Sequence, residues 1–412
     1  MTTRSTTEPL TPDFLEHEWA PLTSAVLHDG FVSVTWADGV TFEAYSLWLA
    51  ENAEGYGLEP VVRESTIEPT NLPAADALRS ASVDPDGALR LDWPERAPVR
   101  VHPGWLRHVA DGHHLPESPL PPVTVWTAAD FVEPPTIDGS TILHDADALE
   151  LWLTTLVRFG VCRLTGTPTD PDFLGRLLTL VGPIRDTNFG PVWSVRADPT
   201  PESTANTGLD LGQHTDLPTR ETPPGFQFLH CIENTVDGGW SRLSDGIAVT
   251  EAIRTEHPEA YEALTTLEWV FMNRSPAAEH RWIGPIIDHG SPRQPLTLRA
   301  FYPVRSAPHM PTVDIPRAYD ALRVFAEVAR DPRFQIRSPF RPGDLVGFDN
   351  RRVLHGRDAF ESGGARHLRG CYADHDDLYS RLRVLRRTSR HIDRHIDQHI
   401  DRHTDQHSEV PA

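Results

Sequence analysis

The first hundred residues alternate between apolar and polar positions in short runs broken by turn residues. Ala25-Val26-Leu27 and Phe31 to Trp36 flank Asp29-Gly30, and Ala37-Asp38-Gly39 makes a second turn, which predicts strand, turn, strand. The same grammar returns at Ala88 to Trp93, after Asp86-Gly87. A small α+β domain is expected over residues 1–110. Residues 111–139, rich in Pro, Gly and polar side chains, read as a linker. From Ala146 the period lengthens: Leu149, Trp152, Leu153, Leu156 and Val157 fall at helical spacing, Gly160 stops the run, and Val161 to Leu164 follows as a strand. Short alternating segments come next, at Phe226 to Ile232, Ser241 to Leu243 and Asp344 to Phe348, with one helix at Pro316 to Arg330 opened by its proline. Over residues 140–388 this predicts a mainly β, distorted double-stranded β-helix, or jelly roll, carrying helices on its outside. Residues 389–407 repeat a four-residue His/Asp unit with no core-forming stripe, and residues 389–412 read as a disordered tail.

Length and composition narrow the classes. A chain of 412 residues exceeds the ~250 at which single cores stop growing, so two domains are expected. No apolar run approaches the ~18 residues of a membrane helix, and the first residues lack the basic start and apolar stretch of an export signal. The cytoplasm is the expected location, with no membrane partner. A formal charge of −21 argues against a nucleic-acid partner. Three scattered cysteines, Cys162, Cys231 and Cys371, build neither a disulfide framework nor a Cys-rich zinc cluster. The chain contains no lysine, so all 38 basic residues are arginine.

Chemistry concentrates at His214-Thr215-Asp216. Residues two apart on an extended segment point the same way, so an imidazole and a carboxylate can grip one metal ion. A third ligand must come from elsewhere, and His355, following the strand-like Asp344 to Asp349, is the best candidate. Two histidines and one carboxylate leave open positions for a bidentate ligand and O2, the arrangement of non-haem Fe(II) oxygenases.

The surroundings of these residues carry a resemblance. Asn206-Thr207-Gly208-Leu209, His214 to Pro218, Pro224 to Cys231, Gly238-Gly239, Phe348 to Arg357, Arg366-His367-Leu368 and Gly370 to Asp374 resemble the butyrobetaine and trimethyllysine hydroxylases of the 2-oxoglutarate oxygenases. The likeness spans roughly residues 25–386 and implies Fe(II), 2-oxoglutarate and O2 as cofactors, with His214, Asp216 and His355 as catalytic metal ligands. It assigns Arg366 to the distal carboxylate of 2-oxoglutarate, a task suited to a two-pronged guanidinium, with Arg369 as the fallback. His230 and Gln227 match family positions and read as buried, hydrogen-bonded core residues. The retained carboxylate Asp216 favours hydroxylation over halogenation. The resemblance also implies a homodimer.

Two departures matter. The N-terminal zinc ligands of the family are replaced by residues such as Asn52, Ala53, Gly55 and Arg96, so no zinc is expected, and Trp36, Trp48, Trp93 and Trp105 are expected to form that domain's core. Among the aromatic residues that enclose a trimethylammonium group, Phe189, Trp193 and Tyr372 match, whereas Ala205-Asn206 displace a tyrosine and Ala300 to Arg305, with Tyr302 among them, replace an Asn-rich stretch. Phe189, Trp193, Asn206, Tyr302 and Tyr372 are therefore the expected substrate residues, with Arg305 or Arg299 as the anchor for the substrate's anionic end. The substrate implied is a small quaternary ammonium; the alternatives are a trimethylammonio-alkyl phosphonate or another biosynthetic small molecule, or a non-catalytic binding role.

Overall fold

The computed structural model describes residues 8–74, 76–196, 208–274, 278–290, 296–360 and 364–388, so the His/Asp repeat and Asn206 lie outside the described residues. The chain divides into two compact units, Met1–Ser118 and Pro119–Ala412. In the first, β1 (Leu22–His28), β2 (Phe31–Trp36) and β3 (Thr41–Tyr45) form an antiparallel sheet in that order. Asp29 and Gly30 turn the first hairpin with φ of 47° and 80°, the two positive values that match the twist of paired strands. Helix α1 (Ser46–Asn52), a sheet of β4 (Ser80–Val83), β5 (Leu89–Asp92) and β6 (Val99–Val101), and helix α2 (Pro103–Ala110) complete the unit. Trp36, Trp93 and Trp105 are buried in its core, and the Trp48 ring stacks on Trp105 at 4.9 Å.

The second unit begins inside the stretch that composition marks as a linker. Trp126 is buried and donates its indole N–H to the Phe159 carbonyl over 2.7 Å, and residues 136–138 form a strand, β7 (Thr136–Asp138). Its proline-rich composition hides this, because the contacts that order it come from residues distant in sequence. Helix α3 (Ala146–Phe159) is capped by Asp145, whose carboxylate accepts from the Asp147 and Ala148 amides, and Gly160 ends it with a φ of 73°. Strand β8 (Val161–Thr165), helix α4 (Phe173–Thr179), and strands β9 (Val192–Arg196), β10 (Leu211–His214), β11 (Phe226–Asn234) and β12 (Ser241–Asp245) follow. Then come helices α5 (Gly246–Glu256) and α6 (Pro258–Thr266), and strands β13 (Trp269–Arg274), β14 (Glu279–Gly284), β15 (Ile287–Asp288) and β16 (Thr297–Leu298). Helix α7 (Ile315–Arg330), strands β17 (Gln335–Ser338), β18 (Leu345–Asp349), β19 (Val353–Arg357) and β20 (Arg366–Ala373), and helix α8 (His375–Thr388) close the series.

Two sheets face each other as a jelly roll, one ordered β7-β8-β18-β11-β20-β9 and the other β10-β19-β12-β17. Alternation along the strands separates their faces. On β11 and β20, Phe226, Phe228, Cys371 and Ala373 turn outward to a core shared with α3, α4 and α8. Cys231 and Leu368 turn inward and meet Val346, Phe348, Leu243, Ile336 and Val353 between the sheets. Helices α5, α6 and α7 pack with Trp269 and Phe271 into a further apolar cluster. No helix among the described residues is long and apolar enough to cross a membrane.

Candidate active site

The site stands where the smaller sheet meets the inner face of the larger. Strands β10 and β19 pair antiparallel with His214 directly opposite His355, so register alone sets the two imidazoles side by side, ring centroids 4.1 Å apart. Asp216 follows two residues after His214 and returns its carboxylate to them. Its Oδ1 lies 3.3 Å from His214 Nε2 and 3.7 Å from His355 Nε2, and one ligand atom from each residue falls within 4.8 Å of the others. Ligands held about 2.1 Å from one ion at roughly right angles lie ~3 Å apart, so the three converge as a metal site requires. The Gly212 carbonyl holds His214 Nδ1 at 2.8 Å, leaving Nε2 to face the centre.

The electrostatics suit a cation. Burial alone would push the Asp216 pKa up, but the hydrogen bond to His214, the charges of both histidines and the Tyr372 hydroxyl outweigh it and hold the carboxyl well below the usual range. Burial, with repulsion from His214, pulls His355 down to about 3, which keeps its imidazole neutral and its lone pair available. An ionised carboxylate and a neutral imidazole thus face the centre, donors that suit a divalent ion.

Several residues without a sequence-derived role hold the ligands still. Asn350 accepts from the Asp216 amide at 2.7 Å and donates to the Asp216 carbonyl at 3.0 Å. The Thr215 hydroxyl donates to the Leu298 carbonyl and accepts from the Ala300 amide, which brings Phe301 against His214 at 4.8 Å, while Phe348 packs on His355 at 4.6 Å. The only hint in the sequence is a small polar residue placed between ligand and strand.

Arg366 opens β20 on the inner face. It is 7% exposed, its guanidinium lies over the Phe360 ring at 5.6 Å, and no carboxylate among the described residues pairs with it. Burial lowers its pKa to about 10. A desolvated guanidinium without an anion is costly unless a ligand supplies one. Arg369 is three residues along, on the outer face, where it donates to Ser194 Oγ and the Pro171 carbonyl; the fallback points away from the site.

Of the expected substrate residues, Tyr372 and Trp193 meet. The Tyr372 hydroxyl donates to Asp216 Oδ2 at 2.7 Å, and the two rings stand 5.4 Å apart, tilted by 41°. The Trp193 indole lies directly over Gly370, where a side chain would have no room. Phe189 is half exposed at the rim, 6.5 Å from Trp193. Tyr302 instead joins the helical cluster and takes the Arg305 guanidinium over its ring; its neighbour Phe301 is the one beside the ligands. The two proposed anion anchors differ in their surroundings. Arg305 also sits over the Trp269 and Tyr319 rings, and Arg299 donates to the Pro218, Arg220 and Glu221 carbonyls.

Comparisons with known proteins give the family. The sequence pattern of the taurine catabolism dioxygenase TauD, TfdA family matches residues 118–372. A gamma-butyrobetaine dioxygenase from Pseudomonas sp. (strain AK-1) is 37% identical over 373 residues, covering 89% of this chain and 97% of that protein. The human gamma-butyrobetaine dioxygenase is 30% identical, with 72% of this chain and 79% of the relative covered. A mitochondrial trimethyllysine dioxygenase from Bos taurus is 27% identical, covering 72% of each chain. The chain belongs to the TauD/TfdA family of dioxygenases, in the branch that holds the butyrobetaine and trimethyllysine enzymes.

Proposed function

We propose that this chain is an Fe(II)- and 2-oxoglutarate-dependent dioxygenase that hydroxylates a C–H bond of a small, betaine-like quaternary ammonium. The observation that carries the reading is the Trp193–Tyr372 pair, tied to the metal ligands through the Tyr372–Asp216 hydrogen bond. A trimethylammonium group has no N–H to donate and is drawn to ring faces, and two inclined rings beside a metal would hold such a group with its neighbouring carbons near the ion. His214, Asp216 and His355 hold the iron. Arg366 receives the distal carboxylate of 2-oxoglutarate, which explains a buried guanidinium without a counter-ion. When bound, the iron and the keto acid supply the oxidising chemistry, with 2-oxoglutarate leaving as succinate and CO2. The apolar inner face of Leu368, Val346 and Phe348 keeps water from the reacting carbon.

Succinate release measured across betaines, trimethylammonio-alkyl phosphonates and amino acids tests the reading. Turnover is expected with a quaternary ammonium, starting from gamma-butyrobetaine, and not with the corresponding primary amine. Equal turnover of the primary amine would refute it.

A further inference from the structure

We propose that the side-chain carbonyl of Gln227 forms the electronegative wall of the pocket beside Trp193 and Tyr372, receiving the methyl groups of a quaternary ammonium. The inference rests on the function proposed above and extends it to a residue that sequence reasoning placed in a hydrogen-bonded core. Gln227 is 2% exposed, and its Oε1 is buried with no hydrogen-bond partner. A buried carbonyl without a donor in the fold is left for a ligand or a water to satisfy.

Its position says what that is. On β11, Gln227 alternates with the outward Phe226 and Phe228, so its side chain points between the sheets. Its cross-strand partners are Tyr372 on β20 and Phe348 on β18. Directly opposed residues share a face, and these two touch the metal ligands, Tyr372 at Asp216 and Phe348 at His355. Gly370 is the diagonal neighbour, and the Trp193 indole lies over it. Gln227 thus shares a face with both rings, directly opposite Tyr372 and diagonal to the glycine under the Trp193 indole. The hydroxyl of Tyr372, the residue opposite, is already given to Asp216. A quaternary ammonium spreads its charge over its methyl hydrogens, and these make C–H···O contacts with a carbonyl while the rings take the remaining faces.

Calorimetric binding to the anaerobic Fe(II)–2-oxoglutarate enzyme tests this, using gamma-butyrobetaine and its neutral isostere with tert-butyl in place of trimethylammonium. The wild type is expected to prefer the charged compound. Gln227→Leu is expected to reduce that preference about fivefold, and Gln227→Glu to keep or increase it. A preference unchanged in Gln227→Leu would overturn the proposal, as would weaker charged binding in Gln227→Glu, which would mean that the amide donates to an anion. The unliganded Gln227→Leu protein is expected to melt at or above the wild-type temperature, since an unpaired amide is gone. A clear drop would show that Oε1 has a partner within the fold and would refute the assignment. A wild type without preference for charge would refute the quaternary-ammonium reading itself, and this proposal with it.

Discussion

Gly370 is the point at which the aromatic pair can be disturbed without altering either ring. A β-carbon there would lie 2.3 Å from Cη2, 2.4 Å from Cζ3 and 2.6 Å from Cζ2 of Trp193. Carbon atoms rest at roughly 3.5–4.0 Å, so in Gly370→Ala the indole must retreat by about an ångström or more. Trp193 belongs to β9, the edge strand of its sheet, so the ring can swing outward, and the stability cost is expected at the low end of the ~1–3 kcal/mol of overpacking. What is lost is a ring face beside Tyr372. One desolvated cation–π contact contributes about 2 kcal/mol, or roughly thirtyfold in affinity, and half of that if the ring is only shifted. The apparent KM for the quaternary ammonium is therefore expected to rise about tenfold in succinate-release assays, with the KM for 2-oxoglutarate unchanged because Arg366 is untouched. Trp193→Ala is expected to have at least as large an effect. The double variant should be no worse than Trp193→Ala alone, since the ring that the added methyl displaces is already missing. Additive losses, or a wild-type KM in Gly370→Ala, would refute the placement of the indole over the sheet.

Other expectations follow from the same geometry. His214→Ala, Asp216→Ala and His355→Ala should each abolish turnover and one-to-one Fe(II) binding, read by elemental analysis of protein lacking residues 389–412, in which no zinc is expected; near-normal activity in any of the three would unseat that ligand. Arg366→Met should raise the KM for 2-oxoglutarate at least about thirtyfold while leaving the unliganded melting temperature equal or higher, because a buried charge without a partner is removed. A lower melting temperature would mean that Arg366 is structural. Burial pulls the His230 pKa down to about 4, so between about pH 6.5 and 4 the unfolded chain binds more protons than the folded one, and stability should fall as pH drops through that window. His230→Gln should flatten that limb of the melting-temperature profile, and an unchanged slope would assign it to other groups.

What the sequence made legible was local. His214 and Asp216 sit two apart on an extended segment, and that spacing groups them once the family-like motif around it is read as well. His355 could be chosen because a strand-like run precedes it, although its opposition to His214 is a matter of register. Helix α3 was readable from its stripe and its glycine stop, and α7 from its opening proline. Where tertiary contacts decide, the reading ran out. Tyr302 and Phe301 are neighbours of similar character, and the Thr215–Ala300 hydrogen bond together with the short turn at Tyr302–Val304 places Phe301 rather than Tyr302 against His214. The segment around Trp126 has no periodicity to betray that it is core. Asn350 reads in sequence like many surface asparagines, but in the fold it is fully buried and both ends of its amide meet the Asp216 backbone.

Arg299 and Arg305 show why charge is a poor guide to a binding site in this chain. Arg299 is spent on backbone carbonyls, while Arg305 lies over three aromatic rings of the helical cluster. After Asp216 the backbone leaves regular structure, with Leu217 at a φ of 52°, a left-handed conformation that a leucine holds only when its surroundings impose it. The carbonyls that this path exposes are met by arginines: Arg299 takes those of Pro218, Arg220 and Glu221, Arg185 takes Thr222, and Arg351 takes Pro223. A planar fork reaches several carbonyls from one buried stem, which a single ammonium could not do from the same position. In a chain without lysine, guanidinium groups thus serve as ties for irregular backbone as well as counter-ions. An arginine that the fold leaves without an acceptor is the better candidate for a ligand, and among the described residues on the inner face beside His214, Asp216 and His355 no carboxylate pairs with Arg366.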